Sequence, residues 1–294
     1  MSRAIVDGVS SRPVAECAAA EVAGALTSSF EGYVTPVHVT AQGYERRFRP
    51  EHVDPFASYV YFRGVDPVAV LLVARRGWSS RIAAVAVAPR ERGRGLGRRI
   101  MRVAIDEAVV RYDRSVLLEV FEHNTPAVRL YEGLGFRPVR RLLGYHREAG
   151  KEAPETTHTL RELDPLAFAR VVANEGEPDL PWMLAAETLS GTVSPARAYH
   201  LDHHAYALIG DPAADAITLV ALVVPRSHRR SGWGTRLMQA LFARFPVKAW
   251  SIPQLVPEEL APTFFTRYGW KQMDTNQLEM VLDLTRRSGH GQDR

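Results

Sequence analysis

The chain has 294 residues, 46% of them apolar and 24% charged, with a net charge of +4. This is the composition of an ordinary globular protein, long enough for two cores, and it excludes a disordered or fibrous chain. A single cysteine, Cys17, excludes an internal disulfide framework and reads as a buried inert thiol. No stretch reaches the ~18 apolar residues of a membrane span, and the opening MSRAIVDGVSSRP lacks the apolar core of a signal peptide. A cytoplasmic protein that meets neither membrane nor nucleic acid is the expectation. Three of the 37 basic residues are lysines, and the arginines are spread along the chain, which suits an anionic small ligand better than a nucleic acid.

In chain order, residues 14–27 read as a helix behind Pro13, and 57–62 and 68–74 as strands joined at Gly64-Val65-Asp66-Pro67. A strand over 81–88 runs into a glycine-rich turn and a helix over 97–111. A strand at 115–121, a helix at 124–133 and a strand at 136–146 follow. The polar stretch 149–157 reads as a linker, and 158–172 as a new strand and helix. The second half repeats the first: ITLVALVVP at 217–225 matches IAAVAVAP at 82–89, and GWGTRLMQALFARF at 232–245 matches GLGRRIMRVAIDEA at 95–108. VKAWSI at 247–252 and PTFFTRYGW at 262–270 stand for VLLEVF at 116–121 and VRLYEGLGF at 128–136. Four matches in order argue for an internal duplication.

The turn Arg92-Gly93-Arg94-Gly95-Leu96-Gly97-Arg98 lies where a strand ends and a helix begins. Glycines let the main chain approach a ligand, the free amides of a helix start favour an anion, and Arg92, Arg94 and Arg98 add positive charge. Together they read as a cradle for a diphosphate. The Gly-Lys-Ser/Thr ending of a Walker loop is absent, and the glycines are spaced two apart rather than as G-x-G-x-x-G.

Arg92-Gly93-Arg94-Gly95-Leu96-Gly97 resembles the R/Q-x-x-G-x-G/A signature of the GNAT acetyltransferase superfamily. Asn124, Ala127, Leu130, Tyr131, Gly135 and Phe136 resemble its second motif, N-x-x-A-x-x-L-Y-x-x-x-G-F. The resemblance implies a mixed α/β fold of two tandem GNAT-like domains, each a twisted, mostly antiparallel mixed sheet flanked by helices. The domains expected are 1–148 and 158–294, with the linker 149–157 between them.

The same resemblance implies acetyl-CoA as cosubstrate. Its pyrophosphate falls to Arg92 through Arg98, Leu96 included, and its acetyl carbonyl to the strand Val85-Ala86-Val87, with the Val87 N–H as oxyanion donor. Asn124 and Ala127 fall beside the pantetheine arm, although Asn124 also suits a helix N-cap. Tyr131 falls on the family's general acid, and a phenol suits the protonation of a leaving thiol. Leu118-Glu119-Val120 resembles enzymes that acetylate the N-terminal amine of ribosomal proteins, which makes Glu119 the base. A structural ion pair between Glu119 and an arginine is the other reading, and Glu122, His123 or ordered water are alternative proton acceptors. Phe30, Glu31 and Tyr33 line the acceptor groove by resemblance, or else anchor their loop to the core; Trp78 and Arg81 stand equally open.

The second half keeps Arg229-Arg230-Ser231-Gly232-Trp233-Gly234, but Phe265 aligns with Tyr131 and has no hydroxyl. Tyr268 lies about one helical turn further on, and Pro253 and Pro257 interrupt the stretch that corresponds to Asn124. A degenerate, non-catalytic domain is expected. His200, His203 and His204 lack the cysteine or acidic partners of a metal site, so no metal is expected. The expected activity is direct acetyl transfer from acetyl-CoA to a primary amine, in the first half. The alternatives are a protein or peptide N-terminal acetyltransferase and a non-catalytic acyl-CoA-binding module. The partner is a small-molecule or peptide amine, and the chain a monomer or homodimer.

Overall fold

The structure, a computed structural model, describes residues 3–6, 8–33, 38–48, 50–150, 156–260 and 262–285. The chain divides into two compact units, Met1–Val139 with Leu278–Arg294, and Arg140–Gln277.

The first unit opens with β1 (Arg3–Val6) and β2 (Val9–Pro13), then α1 (Ala19–Ser29) and α2 (Ala41–Phe48). The helix expected from residue 14 starts later, because Val14–Glu16 form a short 3-10 turn and Cys17 is extended. Next come β3 (Tyr59–Arg63), β4 (Asp66–Arg76), β5 (Ser79–Val87), α3 (Leu96–Val110), β6 (Ser115–Phe121) and α4 (Thr125–Glu132). Strands β1 to β5 pair antiparallel in sequence, and β6 joins β5 in parallel. The apolar run of β4 is buried on both faces. Val70 and Leu72 pack with Val22 and Leu26 of α1, while Leu71 and Val73 pack with Ile100 and Met101 of α3. Leu96, Ile100, Met101, Ala104, Ile105 and Ala108 form the buried stripe of α3 at helical spacing.

The second unit holds most of β7 (Arg137–Arg147), then β8 (Arg161–Leu163), α5 (Pro165–Glu175), α6 (Ala186–Ser190), β9 (Arg197–Leu201) and β10 (Ala205–Ile209). It continues with β11 (Ala216–Val223), α7 (Trp233–Arg244), β12 (Ala249–Pro257), α8 (Pro262–Arg267) and β13 (Lys271–Gln272). Its sheet runs β7-β12-β11-β10-β9-β8, with β13 also on β7. The final strand, β14 (Gln277–Asp283), lies beside β6 and completes the first unit, where Met280 and Leu282 enter the core under α3.

The expected boundary therefore moves. Strand β7, read as the end of the first half, pairs in the second unit, with Arg147, His146 and Tyr145 opposite Trp250, Ser251 and Ile252. Alternation of apolar residues specifies which face of a strand is buried but not which strand lies beside it. Of the expected linker 149–157, residues 151–155 lie outside the described residues.

Candidate active site

Strand β5 ends in Ala88 and a short turn, Pro89–Glu91, and Gly93 and Gly95 follow with φ of 76° and 78°. Only glycine adopts this left-handed conformation cheaply. Gly95 caps α3 without a side-chain hydrogen bond, so the first amides of a 15-residue helix have no capping partner. Gly97 sits against Val87 and Leu130, which packs the helix start onto β5 and α4.

The arginines of this turn also make contacts within the protein, Arg92 most of all. Arg92 donates from Nε to the Val87 carbonyl at 2.8 Å and from Nη2 to the Ser29 and Glu31 carbonyls at 3.2 and 2.6 Å. It ties the turn to the loop after α1. Arg98 reaches the Gly133 carbonyl at 3.4 Å, and Arg94 lies 3.6 Å from Glu91. The Glu91 carboxylate is held below its usual range by two hydrogen bonds from Arg63, both 2.9 Å, against the opposing effect of burial. Arg99, one turn into α3, lies over Gly95, and its buried Nε has no hydrogen-bond partner among the described residues. The sequence reading passed over Arg99, although its i+4 spacing from Gly95 was a usable signal.

Beside the turn the sheet forks. Parallel pairing of β5 and β6 runs from Ser79↔Ser115 to Ile82↔Leu118, and Ala83–Val87 continue beyond it. The Ala88 N–H donates to the Val68 carbonyl at 2.9 Å, on the β4 side. Alternation along the strand then turns the Val85 and Val87 N–H groups to the opposite edge, into the fork, while Ala86 faces β4.

Asn124 caps α4, accepting from the Ala127 N–H at 3.4 Å. About two turns on, Tyr131 is buried against Phe136, with ring centroids 6.0 Å apart. Burial pushes its phenol well above the ordinary range, and neighbouring Tyr33 adds to the effect, so the hydroxyl keeps its proton at neutral pH. Tyr33 is raised by burial too, with Asn124 working against it.

On the α1 side of the fork, Glu119 meets Arg81. The guanidinium donates from Nε to both Glu119 oxygens at 2.9 and 2.8 Å, and its Nη1 donates to Glu51 at 2.6 Å. All three side chains are buried. Burial would discharge Arg81, but the two carboxylates outweigh it and hold its pKa above the usual value. This is the ion pair that stood as the other reading of Glu119. Glu51, from the turn after α2, was missed; a single glutamate in a loop gives no signal of a partner thirty residues away.

Phe30 and Tyr33 meet edge to face with centroids 5.1 Å apart, Tyr33 reaches Phe121 at 6.2 Å, and Phe121 reaches His123 at 5.5 Å. The Glu31 side chain is exposed beside this aromatic strip, its carbonyl held by Arg92. Trp78 stands apart, 58% exposed, with Arg114 over its ring at 5.8 Å.

Residues 25–136, which run from the second half of α1 through the fork and the turn to the end of α4, match the model of the acetyltransferase (GNAT) family. The matched stretch, within the first unit, is GNAT-like. N-alpha-acetyltransferase 30 of Saccharomyces cerevisiae is 32% identical over 69 residues, 24% of this chain and 39% of that protein. The catalytic subunit of the N-terminal acetyltransferase B complex of Arabidopsis thaliana is 31% identical over 71 residues, 24% of this chain and 40% of that protein. The chain thus spans well under half the length of these curated relatives. The whole fold is shared more widely. A GCN5-related N-acetyltransferase from Sphaerobacter thermophilus superposes with a TM-score of 0.69 at 20% identity, over 95% of this chain and 96% of that one. A tandem GNAT protein from the clavulanic acid biosynthesis pathway gives 0.65 at 18% identity, over 94% and 98%.

The second unit repeats the local construction. Gly232 starts α7 at φ 83°, and Arg229 donates to the Val224 and Glu175 carbonyls at 3.0 and 2.7 Å, as Arg92 does in the first. Arg229 also pairs with Glu177. Strands β11 and β12 pair in parallel only from Ala216↔Ala249 to Thr218↔Ser251. Pro253 and Pro257 lie within β12, whose register to β7 shifts between Ile252 and Val256. The ring of Trp233, first residue of α7, meets His204 at 4.4 Å and has Arg236 over it at 4.9 Å. The Tyr268 hydroxyl is taken by Thr235 at 2.6 Å. Among the described residues no group of His, Cys, Asp and Glu is arranged to hold a metal ion, and no helix is long and apolar enough to cross a membrane.

Proposed function

We propose that the first GNAT unit is an N-acetyltransferase that moves an acetyl group directly from acetyl-CoA to a primary amine. The observation that carries this reading is the fork between β5 and β6, into which the Val85 and Val87 amides turn and at whose end the uncapped amides of α3 begin. The group fits: uncapped helix amides and the Arg99 guanidinium suit a diphosphate, and the fork suits an extended arm with amides of its own. Gly93, Arg94, Gly95, Leu96, Gly97 and Arg98 would hold the diphosphate, and Val85, Ala86, Asn124 and Ala127 would line the arm. When bound, acetyl-CoA supplies the activated acyl group.

The chain supplies the rest. The Val87 N–H is a fixed donor where negative charge develops on the acyl oxygen. Tyr131 Oη, kept protonated by burial, is the proton donor to the leaving sulfur. Glu119, oriented by Arg81, is the proton acceptor from the amine, through water. Phe30, Glu31 and Tyr33 receive the acceptor. The aromatic strip and the names of the curated relatives favour a peptide N-terminus as acceptor over a small amine. The second unit is proposed as degenerate, since Phe265 lacks the hydroxyl and a bulky Trp233 stands between the two glycines of its turn. Calorimetric titration with acetyl-CoA tests the reading. One site per chain, followed by turnover with peptide amines in an acceptor panel, supports it, and the absence of binding removes it.

A further inference from the structure

Three side chains from three elements meet where β5 and β6 part: Glu51 from the turn after α2, Arg81 one residue before the last parallel pair, and Glu119 one residue after it. We propose that Glu51 is a positioning residue for the proton acceptor Glu119, acting through the guanidinium the two carboxylates share. The proposal rests on the reading of Glu119 given above.

A carboxylate buried alone takes up a proton and is no longer a base. The same carboxylate with a guanidinium to itself stays ionised but gives up little of its charge to a new proton. Sharing the guanidinium avoids both outcomes. Arg81 turns Nε and Nη2 to Glu119, with Nη2 2.7 Å from Oε2, while Nη1 is committed to Glu51 at 2.6 Å. Glu119 is therefore held in one orientation by a guanidinium that Glu51 shares, and the charge of Glu51 lies within reach of it through Arg81. Arg47 of α2 lies 3.8 Å from Glu51 and is mostly exposed, so water screens it. On β14, beside β6, Glu279 is buried, on the face opposite Met280 and Leu282 and thus on that of Glu119. Phe121, with Tyr33 against it, is the next residue on the same face of β6.

The test uses the full chain labelled with carbon-13 at the glutamate carboxyl carbons and titrated by NMR. The Glu119 resonance is the one lost in Glu119→Gln. Glu51→Gln removes a like charge and releases Arg81 to Glu119, so the Glu119 midpoint is expected to fall by about one pH unit. Glu51→Asp keeps the charge at a shorter reach and is expected to move the midpoint less, in the same direction. It carries the test alone should Glu51→Gln not fold. The acid limb of kcat/KM for acetylation of a peptide amine is expected to follow the midpoint. Equal midpoints in wild type and both variants overturn the proposal. Wild-type turnover by Glu119→Gln overturns instead the reading of Glu119 as acceptor, so the two failures are told apart.

Discussion

Phe265 stands in the second unit where Tyr131 stands in the first. Each is 8% exposed, and each meets an aromatic ring that follows its helix: Tyr131 meets Phe136 at 6.0 Å and Phe265 meets Trp270 at 5.9 Å. At this position the two units differ by one hydroxyl. Tyr131→Phe is expected to lower kcat by about 10²-fold or more while leaving acetyl-CoA affinity in place, measured by turnover and calorimetry side by side. Equal losses in both would remove Tyr131 as the acid. Phe265→Tyr is expected to leave turnover unchanged.

Gly95 carries φ 78° at the start of α3. Alanine there is strained by about 1–2 kcal/mol and tilts the uncapped amides, so Gly95→Ala is expected to weaken acetyl-CoA binding and lower the melting temperature. Gly232 has φ 83° at the start of α7. Gly232→Ala is expected to lower the melting temperature alike and to leave acetyl-CoA affinity unaltered, which separates strain from binding.

Arg81 is buried between two carboxylates, and removing it leaves both uncompensated. Arg81→Met is expected to cost about 3–5 kcal/mol in urea denaturation, more than loss of the pair between Arg141 and Glu258, which is partly exposed.

Asp54 is held below its usual range. Burial works to raise it, and the Arg75 guanidinium at 2.9 Å with the Phe56 and Ala57 amides at 2.8 and 3.2 Å outweighs burial. Its folded pKa lies below its unfolded value of about 3.9, so the stability it contributes is present above that value and is lost as pH falls through the folded one. The stability gap between wild type and Asp54→Asn is expected to be widest at neutral pH and to narrow below about pH 4, as read by urea midpoints at successive pH values.

What was legible in the sequence was local. The glycine turn, the Asn124 cap and Tyr131 are set by spacings within one loop and one helix, and their positions follow from neighbours in the chain. The duplication was legible because the same spacings recur. The partners of charged groups were not. Arg92 looked like a ligand for phosphate and instead holds the carbonyls of Val87, Ser29 and Glu31, since a guanidinium's choice among acceptors depends on loops brought together by folding. Glu51 and Glu279 gave no pattern at all. The exchange of β7 and β14 was hidden for the same reason: both read as half-buried strands, and nothing in their alternation names the edge they join.

That exchange bears on how the protein is made. Strand β14, beside β6, leaves the ribosome after the residues of the second unit. Domains generally fold as units during synthesis, with the earlier one first. Here the second unit has all its strands in hand before the first does, and until β14 is translated the outer edge of β6 lacks its neighbour. The earlier half of the message thus encodes the unit that is finished later, and the acetyl-transfer site proposed above waits on residues translated more than a hundred codons after Tyr131.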